Sequence, residues 1–266
     1  MNGGDGGTPE GGTTGRDAQA GEREREFWDE HVPPLERLIE RYRRGPEPNT
    51  QALLDAIEPL SGQRVLDFAC GAGLTANFLA QRGARVTAID ISPASIGRAV
   101  ELSQRLGNQI EFVTGELRAG TFAPASFDRL AGRYALHHVE LGLVAPILGE
   151  LLAPGGRGAF LETMALNPLL NLARRRMTGR AGVASYGSAD ERPIDRGDLR
   201  VIGRSFDSVE LTVGQMRFLR IFDRNVLRFG HRRLGRLLGG ADDRLLALGL
   251  GSLSYHQIVI VAKRPR

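Results

Sequence analysis

The chain has 266 residues, of which 41% are hydrophobic and 25% charged, and its formal net charge is +4. This composition is ordinary for a soluble globular protein with one large α/β domain or two small ones, and so small a positive excess argues against nucleic-acid binding. Apolar runs end well before the ~18 residues that a membrane span needs, and the apolar core of a signal peptide is lacking, so we expect a cytoplasmic protein without a membrane span.

The first predicted segment is a disordered tail. Residues 1–21 combine glycine, threonine and acidic residues without an apolar period, so they cannot offset the entropy cost of ordering. Residues 22–266 are predicted to form a single domain. Its first part, residues 22–60, is predicted to form a helical cap in which Pro33 and Pro34 separate two helices.

A βαβ unit follows the cap. The apolar run 64–68 predicts a buried strand, small residues after it predict a sharp turn, and a helix then ends at Gly83. The run 85–89 predicts a second strand that ends on Asp90. Glycines allow a ligand to approach the backbone, a helix N-terminus offers unpaired N–H groups, and a carboxylate on the second strand accepts ribose hydroxyls. The unit therefore indicates a nucleotide-like ligand.

Two classes of cofactor use such a unit. Residues 71–76 formally match the dinucleotide pattern G-x-G-x-x-G/A, which is weak evidence alone. Asp67, before the glycines, would lie badly beside a pyrophosphate but well beside an amino group, so it favours an amino-acid cofactor. The single lysine, Lys263, excludes a Tyr-x-x-x-Lys hydride-transfer dyad. The single cysteine, Cys70, excludes an internal disulfide and is interpreted as a small packed residue.

The sequence VLDFACGAG at residues 65–73 resembles motif I of class I S-adenosylmethionine-dependent methyltransferases. Leu-Ala-Pro-Gly-Gly at residues 152–156 is similar to another signature of the small-molecule members. The resemblance implies a Rossmann-like α/β fold, with a seven-stranded, mostly parallel sheet, one antiparallel edge strand and helices on both faces. It also implies S-adenosylmethionine as the cofactor.

The same resemblance implies a set of cofactor-binding residues in the turn, at the ends of the strands and in the loops after them. They are Asp67, Ala69, Gly71, Gly73, Asp90, Ile91, Glu116, Leu117 and Arg133. Ala69 stands where the family usually has its first glycine. We expect this change to be tolerated, provided that the backbone there does not need a positive φ.

Candidate catalytic residues follow the fourth and fifth predicted strands, 126–133 and 158–162. His137 and His138 resemble the Leu-His-His segment of small-molecule methyltransferases. One imidazole is a candidate general base because it is neutral at pH 7, and the other is expected to fix a helix start. Glu162 is a second candidate base, with a structural ion pair as the alternative. Adjacent histidines lack metal-ligand spacing, so no metal is predicted.

The substrate is expected to contact the cap and two insertions, 164–205 and 214–255. In the family, N-terminal helices help to form the substrate pocket, so Trp28 and Tyr42 are candidates, with core packing as the alternative. The basic run in the first insertion suggests an anionic acceptor such as a prenyl diphosphate, or else a solvated helix face. The candidate residues of that insertion are Arg174, Arg175 and Tyr186. The second insertion is interpreted as a lid, a homodimer contact, a membrane-facing helix or, preferably, a segment buried against the domain.

The predicted function is methyl transfer to a small molecule in the secondary metabolism of a bacterium, whose GC-rich genome would explain the scarcity of lysine. An NAD(P)-dependent oxidoreductase is one alternative. A cofactor-bound scaffold or cyclase that does not methylate is another. The fold alone does not decide among them, because one fold hosts many chemistries.

Overall fold

A computed structural model describes residues 15–177, 192–221 and 232–265. Seven strands form one sheet: β1 Arg64–Phe68, β2 Arg85–Asp90, β3 Ile110–Thr114, β4 Phe127–Arg133, β5 Leu152–Thr163, β6 Ser208–Thr212 and β7 His256–Ala262. The helices described are α1 Gly15–Glu30, α2 Leu35–Arg43, α3 Pro48–Ala56, α4 Leu74–Gln81, α5 Pro93–Leu106, α6 Leu141–Leu151, α7 Pro168–Met177, α8 Arg196–Ile202 and α9 Arg232–Ala247.

The strand order is β3-β2-β1-β4-β5-β7-β6. Strand β7 pairs antiparallel with both of its neighbours, and the other pairings are parallel. The predicted Rossmann-like fold is confirmed, with the reversed strand lying one place in from the edge strand β6. The order reverses between β1 and β4, and in open parallel sheets ligands bind at the carboxyl ends of the strands at such a point.

The sheet separates two apolar cores because successive strand residues point to opposite faces. Leu66 and Phe68 of β1 pack into one core with buried side chains of α6 and α8. Val65 packs into the other core with buried side chains of α3, α4 and α5. Helices therefore cover both faces, which fixes β1 and its following turn between two packed layers.

The N-terminal region is more ordered than predicted. Residues 1–14 of the predicted tail lie outside the described part of the chain, but α1 begins at Gly15, so the last part of that tail is helical. The predicted break at Pro33 and Pro34 is confirmed, because α1 ends before it and α2 starts after it.

The segment that follows β6 packs against the domain. The amide of Gln215 donates to Asn49 Oδ1 of α3 at 2.6 Å, and a Cβ on Gly214 would lie 2.5 Å from the Pro48 carbonyl oxygen. This contact supports the burial interpretation of the second insertion. Within the three described ranges, no helix combines the length and the apolar character that crossing a bilayer requires.

Candidate functional site

The turn after β1 is built by backbone hydrogen bonds and two glycines with different roles. The amide of Cys70 donates to the Ile89 carbonyl at 3.1 Å, which joins the turn to β2. Gly73 has a φ of 75°, and a Cβ there would lie 2.8 Å from Ala99 Cβ, so this glycine permits the contact between α4 and α5. Gly71 has a φ of 52°, and a Cβ there would meet no atom within 4 Å. Gly71 therefore borders open space at the mouth of the sheet.

Ala69 adopts the conformation that we expected it to avoid. Its φ is 52°, in the left-handed region that disfavours a residue with a Cβ. The condition under which we expected the alanine to be tolerated is therefore not met. The turn keeps its glycine-like backbone at the cost of strain.

Replacing Ala69 by glycine should raise the free energy of unfolding by up to about 1.6 kcal/mol. Relief of left-handed strain gives about 1–2 kcal/mol, and the greater freedom of glycine in the unfolded chain takes back about 0.4–1 kcal/mol. Urea denaturation measures the difference. Ala72→Gly, in the same turn but outside the left-handed region, is the matched control and should lower stability. A lower stability of Ala69→Gly would contradict the strain argument.

Asp67 is an almost fully buried carboxylate at the end of β1. The residue is only 1% exposed to solvent, and its Oδ2 atom has no hydrogen-bond partner. Burial raises its pKa to about 7, the charge of Asp90 adds to this rise, and Arg133 and the Ala76 amide oppose it. A buried carboxylate oxygen without a donor is costly, and an ammonium group is a donor that would satisfy it.

Asp90 joins the turn to the loop after β2. Its Oδ2 accepts from the Gly71 amide at 2.7 Å and its Oδ1 from the Ser92 amide at 3.0 Å. Burial raises the pKa of Asp90, the two amides oppose the rise, and Asp29 and Glu24 of α1 add to it. Each carboxylate oxygen can accept more than one hydrogen bond, so the group can still accept two ribose hydroxyls.

Helix α1 lies over this part of the site. The hydroxyl of Ser92 donates to Asp29 Oδ1 at 2.5 Å, and a Cβ on Gly21 would lie 2.5 Å from Glu116 Oε1 and 3.9 Å from Ile91 Cδ1. The helix thus lies against Glu116 and Ile91, two of the predicted cofactor-binding residues. The sequence analysis did not identify Asp29 of the cap or Gly21, which belongs to the predicted tail.

The two predicted loop residues after β3 differ in environment. Glu116 Oε2 accepts from Arg118 at 2.7 and 3.0 Å, so this carboxylate has a cationic partner on one side and α1 on the other. Leu117 is buried in the apolar core with Phe127. Cys70 is also buried, and burial raises the pKa of its thiol well above the usual value, which agrees with a packed residue.

Glu162 and His137 form a buried pair at the ends of β5 and β4. Glu162 is fully buried, and its Oε2 lies 2.5 Å from His137 Nδ1. Its Oε1 accepts from the amides of Ala135 and Leu136 at 3.0 and 2.9 Å. A carboxylate with this many donors is held as an acceptor. Glu162 thus lies in a buried ion pair, the arrangement that we gave as the alternative to a general base.

The pairing defines the state of the His137 ring. Because the carboxylate accepts at Nδ1, that nitrogen carries the proton in the neutral ring. Tyr134, with a φ of 55°, turns the chain out of β4 so that the next two amides reach Glu162. A tyrosine in the left-handed region is strained, and such strain is concentrated at functional sites.

His138 lies between His137 and the cap. Its Nδ1 is 2.7 Å from Glu24 Oε1, and the same oxygen accepts from the Trp28 indole at 2.6 Å. The Trp28 ring meets the His138 ring edge-on, with 5.8 Å between centroids. The structure thus brings the predicted substrate residue Trp28 to the predicted catalytic histidines. Glu24, which links them, gave no signal in the sequence beyond its place in a charged helix.

The remaining predicted residues divide into three groups. Tyr42 stacks on Phe78 with 5.1 Å between ring centroids and packs against the apolar core, which favours the packing alternative. Arg133 places its guanidinium 5.6 Å from the centroid of the Tyr134 ring. The side chains of Arg174 and Arg175 and the whole of Tyr186 lie outside the described residues. Among the described residues, no group of histidine, cysteine and carboxylate side chains could hold a metal ion.

Comparisons with known proteins agree with this geometry. Residues 65–156 match a family model described as a methyltransferase domain. A ubiquinone biosynthesis O-methyltransferase of Xylella fastidiosa (strain 9a5c) is 36% identical over 144 residues, which are 52% of this chain and 54% of that protein. The chain spans about half the length of the curated relatives it matches.

Two solved structures share the fold. Phosphoethanolamine N-methyltransferase 2 of Haemonchus contortus, in complex with phosphomonomethylethanolamine and S-adenosylhomocysteine, has a TM-score of 0.59 and 17% identity over 91% of this chain and 60% of that chain. Geranyl diphosphate C-methyltransferase of Streptomyces coelicolor A3(2), in complex with Mg²⁺, geranyl diphosphate and S-adenosylhomocysteine, has a TM-score of 0.58 and 12% identity over 91% and 96%. Residues 65–156 therefore match a methyltransferase domain, and the strand order is that of the Rossmann-like fold which these two structures share.

Proposed function

We propose that this chain transfers the methyl group of S-adenosylmethionine to a small-molecule acceptor. The observation that carries the proposal is the buried Asp67 oxygen without a donor, at one end of an open turn whose other end is held by Asp90. A methionine ammonium suits the first carboxylate, and ribose hydroxyls suit the second. When bound, this cofactor supplies a methyl carbon that is already electrophilic.

The other cofactor-side residues follow from the same placement. Ile91 is partly exposed beside Glu116, so the two can enclose an adenine ring between an apolar contact and a hydrogen-bond acceptor. Leu117 would support this pocket from the core. Catalysis here is mainly alignment of the acceptor and exclusion of water, for which α1 is well placed.

His137 is the proposed base of the reaction. Glu162 fixes the Nδ1–H tautomer, so the Nε2 atom can take a proton from an acceptor hydroxyl or amine as the methyl group is transferred. The proton leaves the nucleophile, and the imidazole becomes an imidazolium that the carboxylate stabilises. His138, held by Glu24, and Trp28 form the neighbouring wall of the acceptor site.

The acceptor is proposed to be small and anionic. The two solved neighbours named above hold phosphorylated compounds, phosphomonomethylethanolamine and geranyl diphosphate, which supports the expectation of an acceptor such as a prenyl diphosphate. Arg174, Arg175 and Tyr186 stay as proposed substrate contacts.

Isothermal titration with S-adenosylhomocysteine tests the cofactor assignment. We expect binding to the wild-type protein and a loss of affinity of roughly tenfold to a hundredfold in Asp90→Asn, because a charged hydrogen bond contributes about 1.5–3 kcal/mol. Asp55→Asn, which changes an exposed acid of α3, is the matched control and should bind normally. Tighter binding of NAD⁺ than of S-adenosylhomocysteine would favour the oxidoreductase, and equal affinity of the Asp90 variant would refute the assignment.

A further inference from the structure

Three arginines from distant parts of the sequence converge beside Tyr134. Arg41 belongs to α2, Arg133 ends β4, and Arg217 lies between β6 and α9. We call these residues the arginine cluster. Arg133 lies 5.6 Å from the centroid of the Tyr134 ring, and Arg41 and Arg217 share the carboxylate of Glu47. The charge of Arg133 acts on Arg41, and the charges of Arg133 and Arg217 act on Tyr134. Burial lowers the pKa of Arg41, the charges of Arg133 and Arg37 lower it further, and Glu47 opposes the change.

The carboxylate of Glu47 lies near two arginines of the cluster without forming hydrogen bonds to them. Glu47 Oε1 lies 3.7 Å from Arg41 Nη2, and Glu47 Oε2 lies 3.6 Å from Arg217 Nη2. These separations are those of ion pairs and exceed the usual length of a hydrogen bond. The Glu47 side chain is 55% exposed, whereas those of Arg41 and Arg217 are 35% and 25% exposed. A ligand can therefore displace the carboxylate more easily than the guanidinium groups.

The cluster also has a hydrogen-bond donor that pairs with none of the described residues. The Nε of Arg133 is buried and has no hydrogen-bond partner. Arg133 stands beside Asp67, whose pKa of about 7 leaves it only partly charged at neutral pH. Asp67 and Glu47 thus neutralise the cluster incompletely, and a bound group with more than one negative charge would balance it better than a carboxylate does.

Arg217 is held in position before any ligand binds. Its amide donates to Ser254 Oγ at 3.1 Å, and its carbonyl accepts from the Tyr255 amide at 2.9 Å. The next residues are fixed by the buried Asp242 of α9, which accepts from the amides of residues 218–220 at 2.8–3.2 Å. A guanidinium on a fixed backbone loses less entropy on binding than one on a free loop.

The place of the cluster in the sheet separates it from the ribose site. Asp90 ends β2, on one side of β1, whereas Arg133 ends β4 on the other side, and Arg217 approaches from the connection between β6 and β7. His137 and Trp28 also lie on this side of β1. The cluster therefore lies on the side of the crevice where His137 and Trp28 are proposed to contact the methyl acceptor.

We propose that Arg41 and Arg217, with Arg133 at the inner wall, bind a phosphate or diphosphate group of the acceptor, and that Glu47 occupies part of this site until the acceptor displaces it. This inference rests on the proposed function, because it assigns the anion to the acceptor of the same methyl transfer. It moves the anion-binding role from the basic run of the first insertion to residues of the cap and the second insertion.

Titration of inorganic pyrophosphate into the protein saturated with S-adenosylhomocysteine tests the proposal. We expect one saturable site in the wild type, weakened about tenfold by Arg41→Gln and by Arg217→Gln, and restored in part by Arg217→Lys, which keeps the charge. Glu47→Gln should tighten binding severalfold, because it removes the internal competitor. Arg44→Gln, at the end of the same helix but paired with Glu40, is the matched control and should bind as the wild type does.

Two outcomes would overturn the proposal. One is the lack of saturable pyrophosphate binding, or equal weakening by Arg44→Gln, which would indicate general attraction to positive charge. The other is that Arg41→Gln and Arg217→Gln bind S-adenosylhomocysteine more weakly but bind 5′-methylthioadenosine normally. Because 5′-methylthioadenosine lacks the methionine carboxylate, this result would show that the arginines bind that carboxylate of the cofactor. Failure of the proposed function gives a different result from failure of this proposal. If the proposed function is wrong, neither the wild type nor any variant binds S-adenosylhomocysteine, and pyrophosphate can still be titrated into the protein alone.

Discussion

Glu162→Gln is expected to lower the rate of methyl transfer by about 10²–10⁴-fold, the range that a general base contributes. The amide can still accept from Ala135 and Leu136 through its oxygen, so its nitrogen must face His137 Nδ1. That nitrogen donates, so His137 would hold its proton on Nε2 and lose the lone pair that accepts one from the acceptor. The affinity for S-adenosylhomocysteine should not change.

Nitrogen NMR of the histidine rings tests this effect without knowledge of the acceptor. The wild type should show His137 protonated on Nδ1, and Glu162→Gln should show it protonated on Nε2. Glu24→Gln is the control, because it changes the carboxylate beside His138 and should leave the His137 tautomer as it is. An Nε2–H signal for His137 in the wild type, or full turnover of Glu162→Gln with any acceptor that the wild type methylates, would contradict the assigned roles.

Asp67→Asn should stabilise the protein at pH 8 by roughly 2–4 kcal/mol while weakening cofactor binding. The folded-state pKa of Asp67 is raised from 3.8 to about 7, so the folded protein binds this proton more tightly than the unfolded chain does. The stabilising contribution is therefore fully present below pH 3.8 and is lost as the pH rises through about 7. Asparagine carries no charge at any of these values and avoids the loss.

Chemical denaturation of both proteins at pH 5 and pH 8 measures this difference. The variant should already be more stable by about 1–2 kcal/mol at pH 5, where the unfolded chain is ionised but folded Asp67 is still protonated, and the gap should widen further at pH 8. Affinity for S-adenosylhomocysteine should rise with pH through 7 in the wild type, because the ionised carboxylate binds an ammonium best, and should depend less on pH in Asp67→Asn. An equal stability gap at both pH values would show that the charge of Asp67 is not its cause.

The βαβ unit and its two acids were predictable because local patterns encode them. Alternation of apolar runs with glycine and the positions of Asp67 and Asp90 at strand ends follow from neighbouring residues, and the motif resemblance then implied a seven-stranded, mostly parallel sheet. The structure confirms these features. The left-handed backbone at Ala69 was not predicted, because a small side chain in a turn is compatible with several conformations and the sequence does not state which is used.

Contacts between residues that are far apart in the sequence were harder to predict. Glu162 and His137 were each recognised as candidates, but their contact depends on the register of β4 with β5, in which Arg133 pairs with Leu161. That register places the residue after β4 beside Glu162, and it was not assigned from the sequence. Arg41 and Arg217 lie in a charged helix and in a leucine-rich insertion, where no pattern marks either of them, so their approach is a consequence of tertiary packing alone.

Helix α1 contacts both halves of the crevice at once. Its Asp29 is bonded to Ser92, its Gly21 adjoins Glu116, and its Glu24 holds His138 and Trp28. Binding of S-adenosylmethionine and release of the methylated product therefore both require α1 to move away from the site. The two steps should share one kinetic barrier. Turnover in the steady state would then report the opening of this segment more than the chemical step.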